Sequence, residues 1–213
     1  MGDIRSGIKT LIIPFMGIGK KLSVFCDQTT DGGGWTVIQR RADLPQREEF
    51  YRGWRDYQLG FGNLTGEFWL GLDNIHALVS QTRMELRVTL EDFEGDKRWV
   101  KYDRFYIEDS AGKYRLKLGD YTNNTGESLS YHNNQQFSTK YADNDRSGRN
   151  CAEEHRGAWW YKDCSYSNLN GFPFKGFYSP SGHSFKGIVW HGFRGHTYSL
   201  KTTLLSVRPR NNK

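Results

Sequence analysis

Two aspartates two residues apart begin the segment of this sequence best suited to chemistry. Asp143 and Asp145 are followed by Gly148, which lets the backbone turn its carbonyl groups inward. Carboxylate and carbonyl oxygens are the ligands that Ca²⁺ takes in proteins. Glu154 is twelfth in order from Asp143, as in an EF-hand, but Asn150 occupies the eighth position, where an aliphatic residue is expected. Taken alone, the segment leaves three interpretations open: an irregular calcium loop, an EF-hand and a solvated acidic turn.

The cysteines indicate an oxidising compartment. Cys151 and Cys164 are separated by twelve residues, which suits a small disulfide loop that would stabilise the fold by about 3 kcal/mol. Cys26 is left over and indicates either a missing partner or a free thiol. Glycosylation sequons at Asn63 and Asn123 agree with secretion. We therefore expect a secreted, extracellular protein.

No catalytic motif is present among the other reactive residues. The sequence contains no nucleophile elbow, metalloprotease motif or paired-carboxylate signature. His191 and His196 lie on a glycine-rich loop without a third ligand, which is a poor metal site. Three glycines follow Asp31, but no Gly-Lys-Ser/Thr comes after them, so they indicate a structural turn and not a phosphate loop. We predict that the chain is not an enzyme.

Composition and charge narrow the class of partner. Aromatic residues make up 15% of the chain, which favours a loop-rich fold with aromatic packing. The net charge of +6 is spread along the chain without a basic block, so no nucleic-acid partner is expected. The longest apolar stretch, residues 11–18, is shorter than the ~20 residues of a membrane helix. Residues 1–6 fit a myristoylation pattern, but the cysteines point outside the cell, and no membrane insertion is expected.

Short β-branched runs and turn residues predict the elements that position these groups. Strands are predicted over residues 7–14, 21–26, 35–40, 84–90, 99–107 and 114–118, with a last strand pair at 187–190 and 198–207. Aromatic spacing predicts a helix over 47–57, and Asp73 is placed to cap a second helix over 74–80. Hairpin-length loops between strands in series imply an antiparallel sheet. Residues 122–187 lack periodicity but are rich in aromatics, which indicates a functional loop region.

Several long motifs connect these elements to a known family. They are Asp31-Gly32-Gly33-Gly34-Trp35, Gly60-Phe61-Gly62-Asn63, Glu67-Phe68-Trp69-Leu70-Gly71-Leu72-Asp73, Gly157-Ala158-Trp159-Trp160-Tyr161, Asn168-Leu169-Asn170-Gly171 and Tyr198-Ser199-Leu200-Lys201. Over about residues 7–209 the chain resembles the fibrinogen C-terminal domain family, which includes ficolins, tachylectins, tenascins and angiopoietins.

The resemblance implies an α+β fold with a central twisted antiparallel sheet and short helices. A single fibrinogen C-terminal domain is expected over residues 1–213, with an N-terminal subdomain over 7–40. The central sheet subdomain is expected over 41–121 and 188–207, and a calcium- and ligand-binding subdomain over 122–187. The resemblance also implies that the usual partner of Cys26 lies upstream of this chain. A full-length homo-oligomer is expected, because an oligomerising region precedes the domain in such proteins.

The same resemblance implies a Ca²⁺ site and an acetyl-binding pocket. The calcium ligands would be the side chains of Asp143 and Asp145 and the carbonyls of Ser147 and Arg149. In ficolin- and tachylectin-like members a cis peptide, here Asp163–Cys164, directs N–H groups at an acetyl oxygen. The residues carried over to this pocket are the donors Cys164 and Ser165 and a funnel of His155, Ser184 or Phe185, and His196.

Two functions are consistent with these residues. The first is a calcium-dependent innate-immune lectin for acetylated carbohydrates such as N-acetylglucosamine, displayed on carbohydrate or glycoprotein surfaces. The alternative is an extracellular protein–protein interaction module for a receptor or matrix protein, as in tenascins and angiopoietins. Ser165 departs from the acetyl-binding pattern, which usually has histidine there, and His155 stands where an aromatic residue is frequent.

Overall fold

The computed structural model of the protein describes residues 5–15, 18–178 and 184–210. Its strands are β1 (Gly7–Phe15), β2 (Ile18–Asp27), β3 (Trp35–Arg41), β4 (Phe61–Gly62), β5 (Phe68–Trp69), β6 (Met84–Glu91), β7 (Lys97–Ile107), β8 (Leu116–Leu118), β9 (Tyr121–Asn123), β10 (Ser167–Asn168), β11 (Gly176–Phe177), β12 (Val189–Trp190), β13 (Tyr198–Ser199) and β14 (Thr202–Pro209). Its α-helices are α1 (Trp54–Leu59), α2 (Leu72–Val79), α3 (Cys151–Glu154) and α4 (His191–Arg194). No helix within these ranges is long and apolar enough to cross a membrane. The first four residues of the myristoylation pattern lie outside the described residues.

One large antiparallel sheet organises the fold. Its strand order is β1-β2-β3-β14-β6-β7-β8, with β5 joining β3 to β4 and β9 pairing with β7. Side chains alternate across it, as in β6, where Leu86, Val88 and Leu90 are fully buried and the residues between them are partly exposed. The predicted α+β fold with a central antiparallel sheet is confirmed, and the strands of residues 7–40 belong to the same sheet.

The predicted last strand pair is wrong. β12 pairs with β10 and β13 pairs with β11, whereas β14 lies between β3 and β6 in the large sheet. The chain passes into the large sheet between β13 and β14. The Leu200 N–H still donates to the Ile188 carbonyl at 2.8 Å, whereas the next N–H, that of Lys201, donates to the Glu91 carbonyl on β6 at 2.9 Å. The single strand predicted over residues 198–207 therefore consists of two strands that belong to different sheets.

The helix predicted over residues 47–57 is also mostly wrong. Only α1, which begins at Trp54, is helical. The preceding backbone is held by side chains, since the Glu67 carboxylate accepts the Glu48 N–H at 2.9 Å and the Tyr57 hydroxyl donates to the Phe50 carbonyl at 2.7 Å. These side-chain hydrogen bonds replace the i→i−4 bonds that the aromatic spacing predicted.

Asp73 does not cap the second helix as predicted. Gly71 is the N-cap, with φ of 100°, and a Cβ there would lie 2.6 Å from the Leu59 carbonyl oxygen. Only glycine fits this close approach of two chain segments. Asp73 lies two residues further along, within the first turn, and instead accepts a hydrogen bond from the Tyr114 hydroxyl.

A buried ion pair joins the sheet to the loop region. Arg41 on β3 is fully buried and lies 3.2 Å from Glu67. Its Nη1 donates to the carbonyls of Gly171 at 2.8 Å and Leu169 at 3.2 Å. The neighbouring Trp159-Trp160-Tyr161 run is fully buried and belongs to the core. The loop region is therefore anchored to the core by Arg41 and by its own buried aromatic side chains.

Candidate binding site

The acidic loop is shaped by its own hydrogen bonds. Asp145 accepts the Ser147 N–H and the Cys151 N–H, both at 2.9 Å, and Asp143 accepts the Asp145 N–H at 3.1 Å. Asn150 caps α3 by accepting the Ala152 N–H at 2.9 Å. The loop therefore leads directly into the first cysteine of the disulfide.

The charges in this loop fit a hard cation. Burial raises the pKa of Asp145 to about 6, and the neighbouring Asp143 carboxylate raises it as well. A bound cation would remove this penalty for ionisation. Glu154 lies 3.3 Å from Arg149, and no third acidic or histidine side chain joins the two aspartates in the described part of the chain. The oxygen ligands that this loop offers favour an irregular calcium loop with backbone carbonyls over an EF-hand.

The predicted disulfide is present and adjoins a pair of free donors. Cys151 and Cys164 are bonded, with 5.5 Å between their Cα atoms, and Asp163–Cys164 is a cis peptide. Residues 5–15, 18–178 and 184–210 offer no acceptor to the N–H groups of Cys164 and Ser165. Ser165 is 5% exposed, and its Oγ also lacks a partner there. Three donors are thus gathered beside the disulfide, and a buried donor such as the Ser165 Oγ is costly unless something accepts from it.

A row of nearly parallel rings lies on four chain segments in this region. We call it the ring ladder, and its members are Tyr131, Tyr166, His191, His196 and Phe185. Successive ring centroids are 4.4, 5.3, 6.0 and 5.4 Å apart, with interplanar angles from 7° to 24°. The ladder is tied to the cis peptide, because the Tyr131 hydroxyl donates to the Asp163 carbonyl at 2.7 Å. Tyr166 is 48% exposed, so the rings offer solvent an aromatic surface.

The predicted funnel residues meet at the other end of the ladder. His155 is buried, its Nδ1 lies 3.2 Å from the Ser184 carbonyl, and its ring lies 5.8 Å from Phe185. Burial lowers the pKa of His155. Phe185 has φ of 60° and is fixed by the Phe185 N–H donating to the His196 carbonyl at 2.9 Å. A phenylalanine whose backbone adopts the left-handed conformation is strained, so the surrounding residues must hold Phe185 in this conformation.

Tyr131, Tyr166 and His191 were not predicted as site residues. They come from separate loops, and nothing in their local sequence spacing indicates that the rings would stack. Tyr166 lies two residues beyond Cys164, and this position beside the predicted pocket is the sequence feature that comes nearest to indicating one of the rings.

His132 supports the ladder from behind. It is fully buried, its Nδ1 lies 2.8 Å from the Trp160 carbonyl, and its Nε2 accepts the N–H groups of Tyr166 and Ser167 at 3.2 and 3.1 Å. This pattern requires a proton on Nδ1 and a lone pair on Nε2. Burial lowers the pKa of His132 to about 3.

We expect the His132 imidazole to stay neutral in the folded protein down to about pH 4. Its unfolded-state pKa is near 6.5, so its contribution to stability is full above that pH. As the pH falls from about 6.5 to about 3, this contribution is lost at up to about 1.4 kcal/mol per pH unit. Imidazole ¹⁵N shifts across a pH titration check this directly, and a midpoint near pH 6.5 would contradict it.

The comparisons with known proteins agree with this architecture. Residues 1–210 match the family described as fibrinogen beta and gamma chains, C-terminal globular domain. Human tenascin-R is 46% identical over 212 residues, which cover 100% of this chain but 15% of tenascin-R. The chain therefore spans a small part of that relative.

Two solved structures extend the similarity to three dimensions. The fibrinogen-like globe domain of human ANGPTL2 superposes with a TM-score of 0.93 at 41% identity, covering 99% of this chain and 95% of that one. Lamprey fibrin D-dimer, solved with the peptide Gly-His-Arg-Pro-amide, has a TM-score of 0.88 at 32% identity and covers 100% of this chain and 72% of that one. The chain belongs to the fibrinogen C-terminal domain family, whose globular domains are non-enzymatic binding modules.

Proposed function

We propose that the chain is an extracellular protein-interaction module that binds its partner on the face formed by the ring ladder and the donors of Cys164 and Ser165. The observation that carries this proposal is a pair of N–H groups to which no described residue offers an acceptor, next to an exposed row of rings. The similarity of the whole chain to tenascin-R favours a protein partner over an acetylated sugar.

The chemistry of this face suits a peptide segment. A carbonyl or carboxylate of the partner would accept from the Cys164 and Ser165 N–H groups, and its side chains would lie on the rings. Aromatic residues are enriched at protein interfaces because they bury a large rigid area with little loss of conformational entropy. The five rings of the ladder offer more area than one acetyl group can cover. The lamprey relative was solved with a peptide ligand, which supports the same class of partner.

Acetylated carbohydrate is the competing ligand, because an acetyl oxygen could accept from the same two N–H groups. Cell binding separates the two classes. The labelled chain should bind cells of the source organism, and trypsin treatment of those cells should remove the binding while excess N-acetylglucosamine leaves it. Binding that the sugar abolishes and trypsin spares would contradict a protein partner.

For Ca²⁺ we propose a structural role, with the ion held by the carboxylates of Asp143 and Asp145 and the carbonyls of Ser147 and Arg149. Calcium at about 100 times its Kd should stabilise the fold by about 2.7 kcal/mol, which corresponds to roughly 5–10 °C in Tm. Asp143→Asn should abolish this shift, since it removes the charge of an exposed calcium ligand. The asparagine oxygen can still accept the Asp145 N–H, so the loop itself should be kept. Thermal unfolding with calcium and with chelator measures it.

Glu154→Gln is the matched control for calcium. Glu154 pairs with Arg149 and does not join the two aspartates, so the variant should keep the full calcium shift. Loss of the shift in Glu154→Gln would instead support the EF-hand arrangement.

A further inference from the structure

A second surface feature lies close to the end of the ring ladder that is formed by His196 and Phe185. It is a cavity of about 220 Å³ lined by Arg156, Phe172, Phe174 and Lys186, which we call the cationic groove. Two phenylalanines supply its apolar wall and two cations its charge. Phe172 is 44% exposed, so the apolar wall is open to solvent.

Hydrogen bonds and ring contacts make the groove a preformed structure. The Phe172 N–H donates to the Lys186 carbonyl at 2.7 Å, and the rings of Phe172 and Phe174 lie 4.7 Å apart. Phe174 in turn stacks on Tyr178 at 4.5 Å, and the Tyr178 hydroxyl donates to the His196 carbonyl at 3.0 Å. A ligand that extends from the rings of His196 and Phe185 toward Tyr178 would therefore meet the cationic groove.

Both cations of the groove are available to a ligand. Within the described ranges, neither Arg156 nor Lys186 has a side chain in an ion pair or hydrogen bond. Their excess positive charge is complementary to a carboxylate, and guanidinium groups bind carboxylates with two parallel hydrogen bonds.

The backbone of Arg156 is a second, independent observation. Arg156 follows the C-cap His155 of α3 and has φ of 48°. Helices commonly end with a residue in this left-handed conformation, and glycine is preferred there because a Cβ adds strain. The chain thus tolerates strain that glycine would avoid, and it gains an exposed guanidinium at the groove.

We propose that the cationic groove binds an acidic side chain of the protein partner, with an adjacent aromatic or aliphatic side chain packed on Phe172 and Phe174. This inference rests on the proposed function in one respect, that the ligand is a protein. The peptide of the lamprey fibrin complex carries an arginine and, as an amide, no carboxylate. A peptide of that charge would be repelled by Arg156 and Lys186, so this chain selects a partner of opposite charge.

The test uses the whole isotope-labelled chain and two short probes, acetyl-Phe-Glu-Glu-amide and its uncharged match acetyl-Phe-Gln-Gln-amide. NMR titration should show the acidic probe shifting the signals of Arg156, Phe172 and Lys186, and the uncharged probe binding more weakly. Arg156→Gly and Lys186→Gln should each raise the Kd of the acidic probe about three- to fivefold, as for an exposed ion pair.

The expected stability of Arg156→Gly and a control variant make the test specific for the groove. Arg156→Gly suits the left-handed backbone, so its Tm should equal or exceed that of the unsubstituted chain. Arg55→Gln is the matched control, because Arg55 is an exposed arginine on α1, and it should leave the Kd unchanged. Equal binding of both probes, or an equal loss in Arg55→Gln, would overturn the proposal.

Other polyanions are separated in the same titration. A heparin fragment that binds the groove while the acidic probe does not would overturn the proposal in favour of a sulfated polysaccharide. Failure of the probe while trypsin-sensitive cell binding persists would sink this inference alone. If the chain shows no trypsin-sensitive binding to cells while the acidic probe still binds the groove, the proposed protein-interaction function would instead be contradicted.

Discussion

Replacing Glu67 by alanine is expected to lower the free energy of unfolding by about 3–5 kcal/mol, because it leaves the buried Arg41 without its counter-charge. Glu67 accepts hydrogen bonds from the Arg41 Nε at 3.2 Å, the Ala42 N–H at 3.1 Å and the Arg47 Nη2 at 3.0 Å. Burial opposes ionisation of this carboxyl, but Arg41 and the other donors hold its pKa below the ordinary value. The carboxylate is therefore charged at neutral pH and is the counter-ion of Arg41.

Urea denaturation measures this loss, and Glu48→Gln is its control. Glu48 forms an i,i+4 pair with Arg52 at 2.6 Å, and both side chains are partly exposed. Removing an exposed pair of this kind should cost about 0.5 kcal/mol or less. Because Arg41 also holds the carbonyl of Gly171, Glu67→Ala should loosen the start of the cationic groove at Phe172. A cost below about 1 kcal/mol for Glu67→Ala would contradict the role given to this ion pair.

Phe185→Gly is expected to weaken binding to cells by about 2 kcal/mol, or roughly 30-fold in apparent Kd. Phe185 joins the ladder to the funnel, with its ring 5.4 Å from His196 and 5.8 Å from His155. Glycine adopts φ of 60° without strain, so the variant should fold, and unfolding measurements would verify this. The effect on affinity then reports the ring itself.

The matched control for Phe185→Gly is Tyr121→Ala. Tyr121 lies on β9 and is 49% exposed, but it belongs to the sheet and not to the ladder. It should leave the cell-binding curve unchanged. An unchanged curve in Phe185→Gly, or an equal loss in Tyr121→Ala, would place the binding surface elsewhere.

The strands were predictable because their pattern is local. The alternating run at residues 84–90 and the β-branched run at 7–14 correspond to β6 and β1, each extended by one residue. The helix predicted over 47–57 begins only at Trp54, because Glu67, distant in sequence, holds the backbone at Glu48 through a hydrogen bond. Local periodicity cannot indicate a competitor from another segment.

The candidate site was predictable in part for the same reason. Cys151, Cys164 and the two aspartates lie in one continuous segment, and the disulfide between the cysteines formed as predicted. The ring ladder combines Tyr131, Tyr166 and His196 from separate loops, which only the fold brings together. The left-handed backbone of Arg156 was equally hidden, because no sequence pattern marks a non-glycine residue at such a position.

Site-specific photo-cross-linking tests the central claim most directly. Tyr166 and Tyr121 are 48% and 49% exposed, so each can be replaced in turn by p-benzoyl-phenylalanine at matched accessibility. The proposed function predicts that the Tyr166 position on the ladder cross-links to a trypsin-sensitive cell-surface protein, in the presence of excess N-acetylglucosamine, and that the Tyr121 position does not. Equal cross-linking from both positions, or cross-linking at Tyr166 that the sugar abolishes, would contradict it.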